Sequence, residues 1–306
     1  MGKKRDRDSL SKEDAKRDPD AMDEDSSSDE DFDIVNVDFE WFNFDPTIDF
    51  HGTKTLLRQL LDVDSPLFDT SALADLILSN TAVGSTVKVD GKETDAYALI
   101  TALPLSSQRA KHTALDALAE YIASKAAASP ATAPVAQILE KDAKADVGLV
   151  VSERLINMPS EVAGPLYAML VDELDDAVSE SEPYDFSHVI VLSRVYREVL
   201  PDPEVREQEE GDERRRKTKK QKGGAAATQA GGEGEVFYFH PEDEVFMRFA
   251  EAKGSFAFTK EGEAVADSKR AFQDLGVKTE GFVMLFTRDK FREGVKAVGE
   301  FLKGSS

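Results

Sequence analysis

The side chains best suited to chemistry in this sequence are four histidines, His51, His112, His188 and His240. An imidazole can act near neutral pH as a general base, a proton shuttle or a metal ligand. None of the four stands at metal-ligand spacing from another with a carboxylate partner. Ser187 and His188 are neighbours on a predicted strand, where consecutive side chains face opposite ways, so no nucleophile–base dyad is expected between them. All four histidines are expected to be structural. The fragments "HGTKT" and "GVKTEG" lack the glycine directly before the lysine and the upstream glycine of a phosphate-binding loop. "GGEGEV" is not followed by a helical pattern and reads as the end of a flexible loop. Around Asp18 and Asp20 the acidic tail lacks the glycine and the closing glutamate of a calcium loop. Cysteine is absent, which excludes disulfide frameworks, thiolate zinc sites and a cysteine nucleophile, and suits a reducing compartment. These residues call for no cofactor and no catalytic group.

What stands out is charge. The chain has 306 residues and a formal net charge of -22. Residues 34–199 hold 26 acidic and 12 basic side chains, so most of the excess belongs to a region patterned to fold. Residues 1–33 hold 13 and 7, those of 200–235 hold 9 and 8, and those of 236–306 hold 12 and 11. A field of that sign repels nucleic acid and attracts basic partners, and it also confers solubility. No apolar run approaches membrane-spanning length, and the N-terminus has no signal-peptide core.

The elements that would carry these charges can be read from periodicity. In "VNVDFEWFNFDP" (35–46), Val35, Val37, Phe39 and Trp41 alternate with Asn36, Asp38, Glu40 and Phe42, a half-buried strand whose outer face is acidic and aromatic. That face suggests either an edge protected by charge or a docking surface for something basic. "GTKTLLRQLL" and "TSALADLILSN" predict helices, and "GSTVKVDGKETDAYALITALPL" a hairpin turning at Asp90-Gly91. Leu115, Leu118 and Ile122 mark an Ala-rich helix, with a second short helix after Pro134. "VGLVV" (147–151), "VIVL" (189–192) and "FVMLF" (282–286) are continuously apolar and predict strands buried on both faces. Leu166, Leu170 and Leu174 mark a helix with Pro165 in its first turn. "EVFYFH" predicts a strand, "EDEVFMRFAEA" a helix, and Phe291, Val295, Val298 and Leu302 a closing amphipathic helix. The expected fold is α/β, a mixed central sheet covered by helices on both faces. The expected organisation is an acidic disordered tail over 1–33, one domain over 34–302 interrupted by a disordered charged loop over 201–234, and a short tail over 303–306.

Two low-complexity segments carry signals of their own. "RRRKTKK" places Arg214, Arg215, Arg216, Lys217, Lys219 and Lys220 in the charged loop, the pattern of a nuclear import signal, with "KKRDR" near the N-terminus as a weaker second. In "DEDSSSDEDFD", Ser26, Ser27 and Ser28 each precede an acidic residue by three positions, which suits acid-directed kinases.

The stretch "VGLVVSERLINMPSEVAGPLYAML" (147–170), taken with "VNVDFEWFNFDP", "HGTKTLLRQLL" and "FVMLF", resembles the BCCIP family of eukaryotic nuclear proteins, with its fungal Bcp-type members. The resemblance runs over roughly residues 34–302. It implies a fold similar to the GCN-related acetyltransferases without their activity, and a nuclear protein that shuttles to the cytoplasm. It also implies escort of a basic large-subunit ribosomal protein, a link to export of a phosphatidylinositol phosphate kinase and to nuclear transport receptors, and no direct contact with nucleic acid or membrane. Enzymes of that fold bind the cofactor pyrophosphate on backbone amides at a helix N-terminus after a central strand. Here that place reads "NMPSEVAG", where Pro159 has no N–H, Glu161 would repel phosphate and the glycine-rich loop is lacking. Glu153 and Arg154 are expected to be structural partners near a bend.

On this reading the acidic side chains form a surface that stands in for RNA phosphates against a basic client. The candidates are Asp38, Glu40, Asp45 and Asp49 with Phe42 and Phe44 around the opening strand, and Asp172, Glu173, Asp175 and Asp176 on the later helix. Aromatic rings would add cation–π contacts. The alternatives are an acyltransferase with an atypical acetyl-coenzyme A site and an acidic histone chaperone.

Overall fold

The computed structural model describes residues 38–198, 235–261 and 277–304, all within one compact unit. Its spine is an eight-stranded mixed sheet: β1 (Phe39–Asn43), β2 (Ser85–Val89), β3 (Ala98–Pro104), β4 (Val147–Arg154), β5 (His188–Glu198), β6 (Val236–Tyr238), β7 (Ala252–Phe256) and β8 (Val277–Thr287). The order across the sheet is β1-β2-β3-β4-β5-β8-β7, with β6 also pairing to β5. Among the described residues only β4 and β5 run parallel, with Val147 opposite His188 through Val151 opposite Leu192; both strands continue beyond that last pair.

The strands expected to be central are central because their side chains are apolar on both faces. Leu149, Val151, Ile190, Leu192, Val283 and Leu285 point into one core layer, with helices α1 (Phe50–Leu61), α2 (Thr70–Leu78), α4 (Thr113–Ala126) and α5 (Ala133–Ile138). A one-turn α3 (Leu105–Gln108) precedes α4. Val150, Val189, Val191, Met284 and Phe286 point into the other layer, with α6 (Ala163–Ser179), α7 (Pro241–Phe246) and α8 (Arg288–Lys303). The helix stripes match: Leu166, Leu170 and Leu174 on α6 and Phe291, Val295, Val298 and Leu302 on α8 are all buried. Asp69 caps α2 by accepting the Ser71 and Ala72 amides at 3.1 and 3.0 Å. Gly52 of "HGTKT" lies inside α1, where an added Cβ would come 2.8 Å from the Ala96 nitrogen, so it serves helix–loop packing.

Four expectations need correction. The chain between β2 and β3 is an eight-residue loop rather than a two-residue turn, although Asp90 and Gly91 do take φ of 62° and 90°. The Tyr97 amide closes that loop on the Val87 carbonyl. Residues 242–252 do not form one helix: α7 stops at Phe246 and Ala252–Phe256 becomes the edge strand β7. Trp41, expected inside, is 38 % exposed on β1, the edge strand of the sheet. Finally, Ser187 lies just before β5, off the strand's alternation, and its hydroxyl meets His188 Nδ1 at 2.9 Å. Ser187 also donates to the Asp146 carbonyl, so the contact ties down the entry to the strand.

Candidate functional site

Of the acidic residues proposed around β1, Asp38 just before the edge strand and Glu40 on it are exposed, where charge discourages pairing with another sheet. Asp45 closes its own turn by accepting the Thr47 amide and hydroxyl at 2.9 and 2.6 Å, and these bonds hold its carboxyl below the usual range. Asp49 is fully buried and paired with buried Lys88 at 2.5 Å, so it is not a surface group. Its sequence position at the start of α1 looked exposed because Lys88 lies 39 positions away, on β2. Lys88 lies over the Phe42 ring at 5.8 Å, and Phe44 fills the space above Gly84, where an added Cβ would come 2.3 Å from the ring. Both rings are half-buried packing groups rather than a docking face.

On α6 the set divides again. Glu173 turns inward and accepts the Gly84 amide at 2.7 Å and the Ser85 hydroxyl at 2.9 Å, fastening α6 to the start of β2. Burial raises its carboxyl despite those bonds. Asp175 is taken by Arg292 of α8, and Asp185 by Arg288 at 2.5 Å. Asp172 and Asp176 are exposed, as are Glu180 and Glu182 just beyond. These four make up the acidic face of α6: Asp176 stands in the last turn, Glu180 and Glu182 just past it and Asp172 a turn earlier, and the last turn carries no basic residue. The helix dipole puts partial negative charge at that end, so carboxylates there are locally unfavourable by a few tenths of a kcal/mol each, up to about 1. Ser26, Ser27 and Ser28, and the basic run Arg214 to Lys220, lie outside the described residues.

The larger surprise is interior. Where β4 and β5 run on past their last paired residues, a network of charged side chains threads between them. On the α1 side Glu153, fully buried, meets His240 Nε2 at 2.9 Å and accepts from Gln59 Nε2 at 2.8 Å and from the Arg154 amide at 3.1 Å. Arg194 Nε lies 3.5 Å from the second Glu153 oxygen, and its guanidinium stacks on Phe239 at 4.5 Å. On the α6 side Arg154 forms a two-pronged pair with Glu242, and Ser193 donates to Asp243. Glu153 and Arg154 are structural, as expected, but they face opposite layers and each takes its charge partner from the segment around α7.

Burial alone would push the Glu153 carboxyl up; the His240 imidazole and Arg194 overcome it and hold the group at about 2. Burial raises Asp243 to about 7, with the Glu242 charge adding to the effect against the pull of His240. Burial opposes a charge on His240, but Glu153 outweighs it and raises the imidazole. Asp243 therefore keeps its proton in the folded protein well above 3.8, so its contribution is present at low pH and is lost as pH rises through about 7. His240 shifts stability the same way, fully present below 6.5 and lost as pH passes its raised value. Glu153 acts at the other end, stabilising above 4.5 and ceasing to do so as pH falls to about 2. The melting temperature should accordingly fall between pH 6 and pH 8 at fixed ionic strength. Asp243→Asn, which keeps an acceptor for Ser193, should flatten that fall. Equal melting temperatures at both pH values in the parent protein would contradict this.

Among the described residues no group of three metal-ligating side chains is assembled, and no helix is long and apolar enough to cross a membrane. Glu153 and Glu242 are held in ion pairs, and Asp243 is held by the Ser193 hydroxyl, with both partners of that contact buried. The missed signal was a repeated pattern: "VVSER" and "VLSRV" both break an apolar strand with serine and then charge, at neighbouring positions of the parallel pair.

Comparison with known proteins agrees with this architecture. The profile of the BCCIP family matches residues 34–246. Protein BCP1 of Gibberella zeae is 51 % identical over 305 residues, covering 100 % of both chains. Protein bcp1 of Schizosaccharomyces pombe is 40 % identical over 275 residues, covering 88 % of this chain and 91 % of its own. The crystal structure of BCP1 from Saccharomyces cerevisiae superposes with a TM-score of 0.56 at 23 % identity, covering 92 % of this chain and 98 % of that one, a likeness of fold. On the family match and the full-length identity together, the chain belongs to the BCCIP family.

Proposed function

We propose that this protein is a non-enzymatic nuclear escort that holds a strongly basic client, a large-subunit ribosomal protein, and so supports ribosome biogenesis and export. The observation that carries the reading is the acidic face of Asp172, Asp176, Glu180 and Glu182. Three of its charges, Asp176, Glu180 and Glu182, sit at the helix end where the dipole opposes them, with no basic residue in that last turn. Charge placed against local stability is better explained by a partner than by solubility, which acidic residues supply equally well at any exposed position. The client's class follows from the family resemblance, as do a phosphatidylinositol phosphate kinase and transport receptors as further partners. Nuclear entry through Arg214–Lys220 belongs to the same proposal. A surface of this sign disfavours direct contact with nucleic acid.

The acyltransferase alternative has little to support it. Pro159, without an N–H, and Glu161, a negative charge, occupy the turn between β4 and α6 where a pyrophosphate would need amides. The continuation of β4 and β5 is filled by Glu153, Arg154, Glu242 and Asp243.

The test is to mix the full-length chain with a purified basic large-subunit ribosomal protein and follow light scattering, with histones as competitor. Stoichiometric suppression of aggregation, lost on raising salt toward 1 M where the screening length shrinks to about 3 Å, is the expected result. Preferential protection of histones would move the client class. Saturable acetyl-coenzyme A binding by calorimetry, without client protection, would overturn the reading in favour of an enzyme.

A further inference from the structure

A cleft of about 200 Å³ opens on the α1 side of the sheet, beside the charged network but separate from the acidic face of α6. Phe239, Phe258, Val63, Ile156 and Val277 supply its apolar lining. The wall bearing Phe258 is fixed by Asp64, which accepts the Thr259 and Lys260 amides at 2.7 and 2.8 Å and the Tyr121 hydroxyl at 2.6 Å. Arg194 lines the floor. It is 7 % exposed; its Nε is closed to solvent and faces Glu153 at 3.5 Å, so the donors it can offer the cleft are at the Nη end of the guanidinium. One face of the guanidinium is covered by Phe239, so its remaining capacity lies in the plane of its N–H groups. Of the other charged groups on the lining, Lys278 is held by Glu261 at 3.0 Å and lies near Glu280, Asp62 is engaged within the protein, and Arg58 stands exposed at the mouth.

We propose that this cleft binds a carboxylate carried on an apolar group, the carboxylate meeting Arg194 and the apolar part lying between Phe239 and Phe258. Three observations choose this chemistry. Arginine's fork matches the two oxygens of a carboxylate. The aromatic and aliphatic walls suit an apolar body. The volume equals about seven waters at ~30 Å³ each, room for one side chain and its acid group. A doubly charged phosphate finds too few uncommitted cations here. The same chemistry is offered by a free aromatic or branched acid and by the last residue of a polypeptide chain.

Calorimetry on the full-length protein decides the matter with four probes: phenylacetate, phenylacetamide, a tetrapeptide ending in phenylalanine with a free C-terminus, and the same peptide amidated. A carboxylate form should bind saturably and at least ~10-fold tighter than its amide, since the charge-assisted pair is lost with the acid. Binding of phenylacetate alone assigns the site to small acids, and binding of the free-ended peptide alone assigns it to chain termini. Arg194→Lys should weaken binding by ~10-fold through loss of the two-pronged geometry. Val63→Phe should abolish it by filling the cleft without touching Glu153. Should that variant fail to fold, Ile156→Ala, at a position 74 % exposed, should still weaken binding. Equal affinity for acid and amide, no binding of any probe, binding unmoved by the cleft variants, or inorganic phosphate binding as tightly as phenylacetate would each overturn the proposal.

Discussion

Glu153→Ala is expected to cost about 3–5 kcal/mol of folding stability, the range for removing one partner of a buried ion pair. The carboxylate accepts from Gln59 and the Arg154 amide, meets the His240 ring and lies beside Arg194. Removing it leaves the Arg194 cation and several donors without their acceptor. For a domain of this size that is a fall of roughly 10 °C in melting temperature. Glu153→Gln keeps the shape and one acceptor but not the charge, and should lose about half as much. Asp172→Ala, on the exposed acidic face, should stay within about 0.5 kcal/mol of the parent. Urea unfolding of the three variants checks the ordering. A loss under about 1 kcal/mol for Glu153→Ala would mean that the neighbours re-pair without it and that the network is not a keystone of the fold.

The network also explains what could and could not be read from the residues. Strands such as 147–151, 189–192 and 282–286 were legible because a continuous apolar run of that length has few other places to go. The stripes of α6 and α8 were legible by their period. The strand Ala252–Phe256 was not: "AKGSF" is neither alternating nor apolar, and it becomes a strand by pairing with β8. The contact between Glu153 and His240 spans 87 positions and no local pattern announces it. Charge counting has the same weakness. Asp49, Glu173 and Asp175 were plausible surface carboxylates by composition, yet Lys88, the Gly84 amide and Arg292 claim them in three dimensions. What survives is a smaller face, extended past the helix end by Glu180 and Glu182, which the sequence reading did not include.

That face is the centre of the account, and reversing it is the most direct test. With Asp172, Asp176, Glu180 and Glu182 changed together to lysine, the inward Glu173 and the paired Asp175 are left alone, so the fold should hold. Lysine beyond the helix C-terminus is also favourable to the dipole, so melting temperature should stay level or rise slightly. Four carboxylates become four cations. At about 1 kcal/mol per reversed contact near a surface, affinity for a basic large-subunit ribosomal protein should fall by more than ~100-fold at 50 mM salt. The fall should come substantially through association rate, since screened long-range attraction governs encounter. The parent protein's own affinity should drop steeply between 50 and 300 mM salt, whereas the variant's should hardly change. The decisive measurement is therefore the association and dissociation rate of parent and variant with that client at both salt concentrations. Slow, salt-insensitive association in a folded variant is the predicted result. Unchanged association at low salt would show that the acidic face of α6 is a solubility device and that the client, if there is one, docks elsewhere.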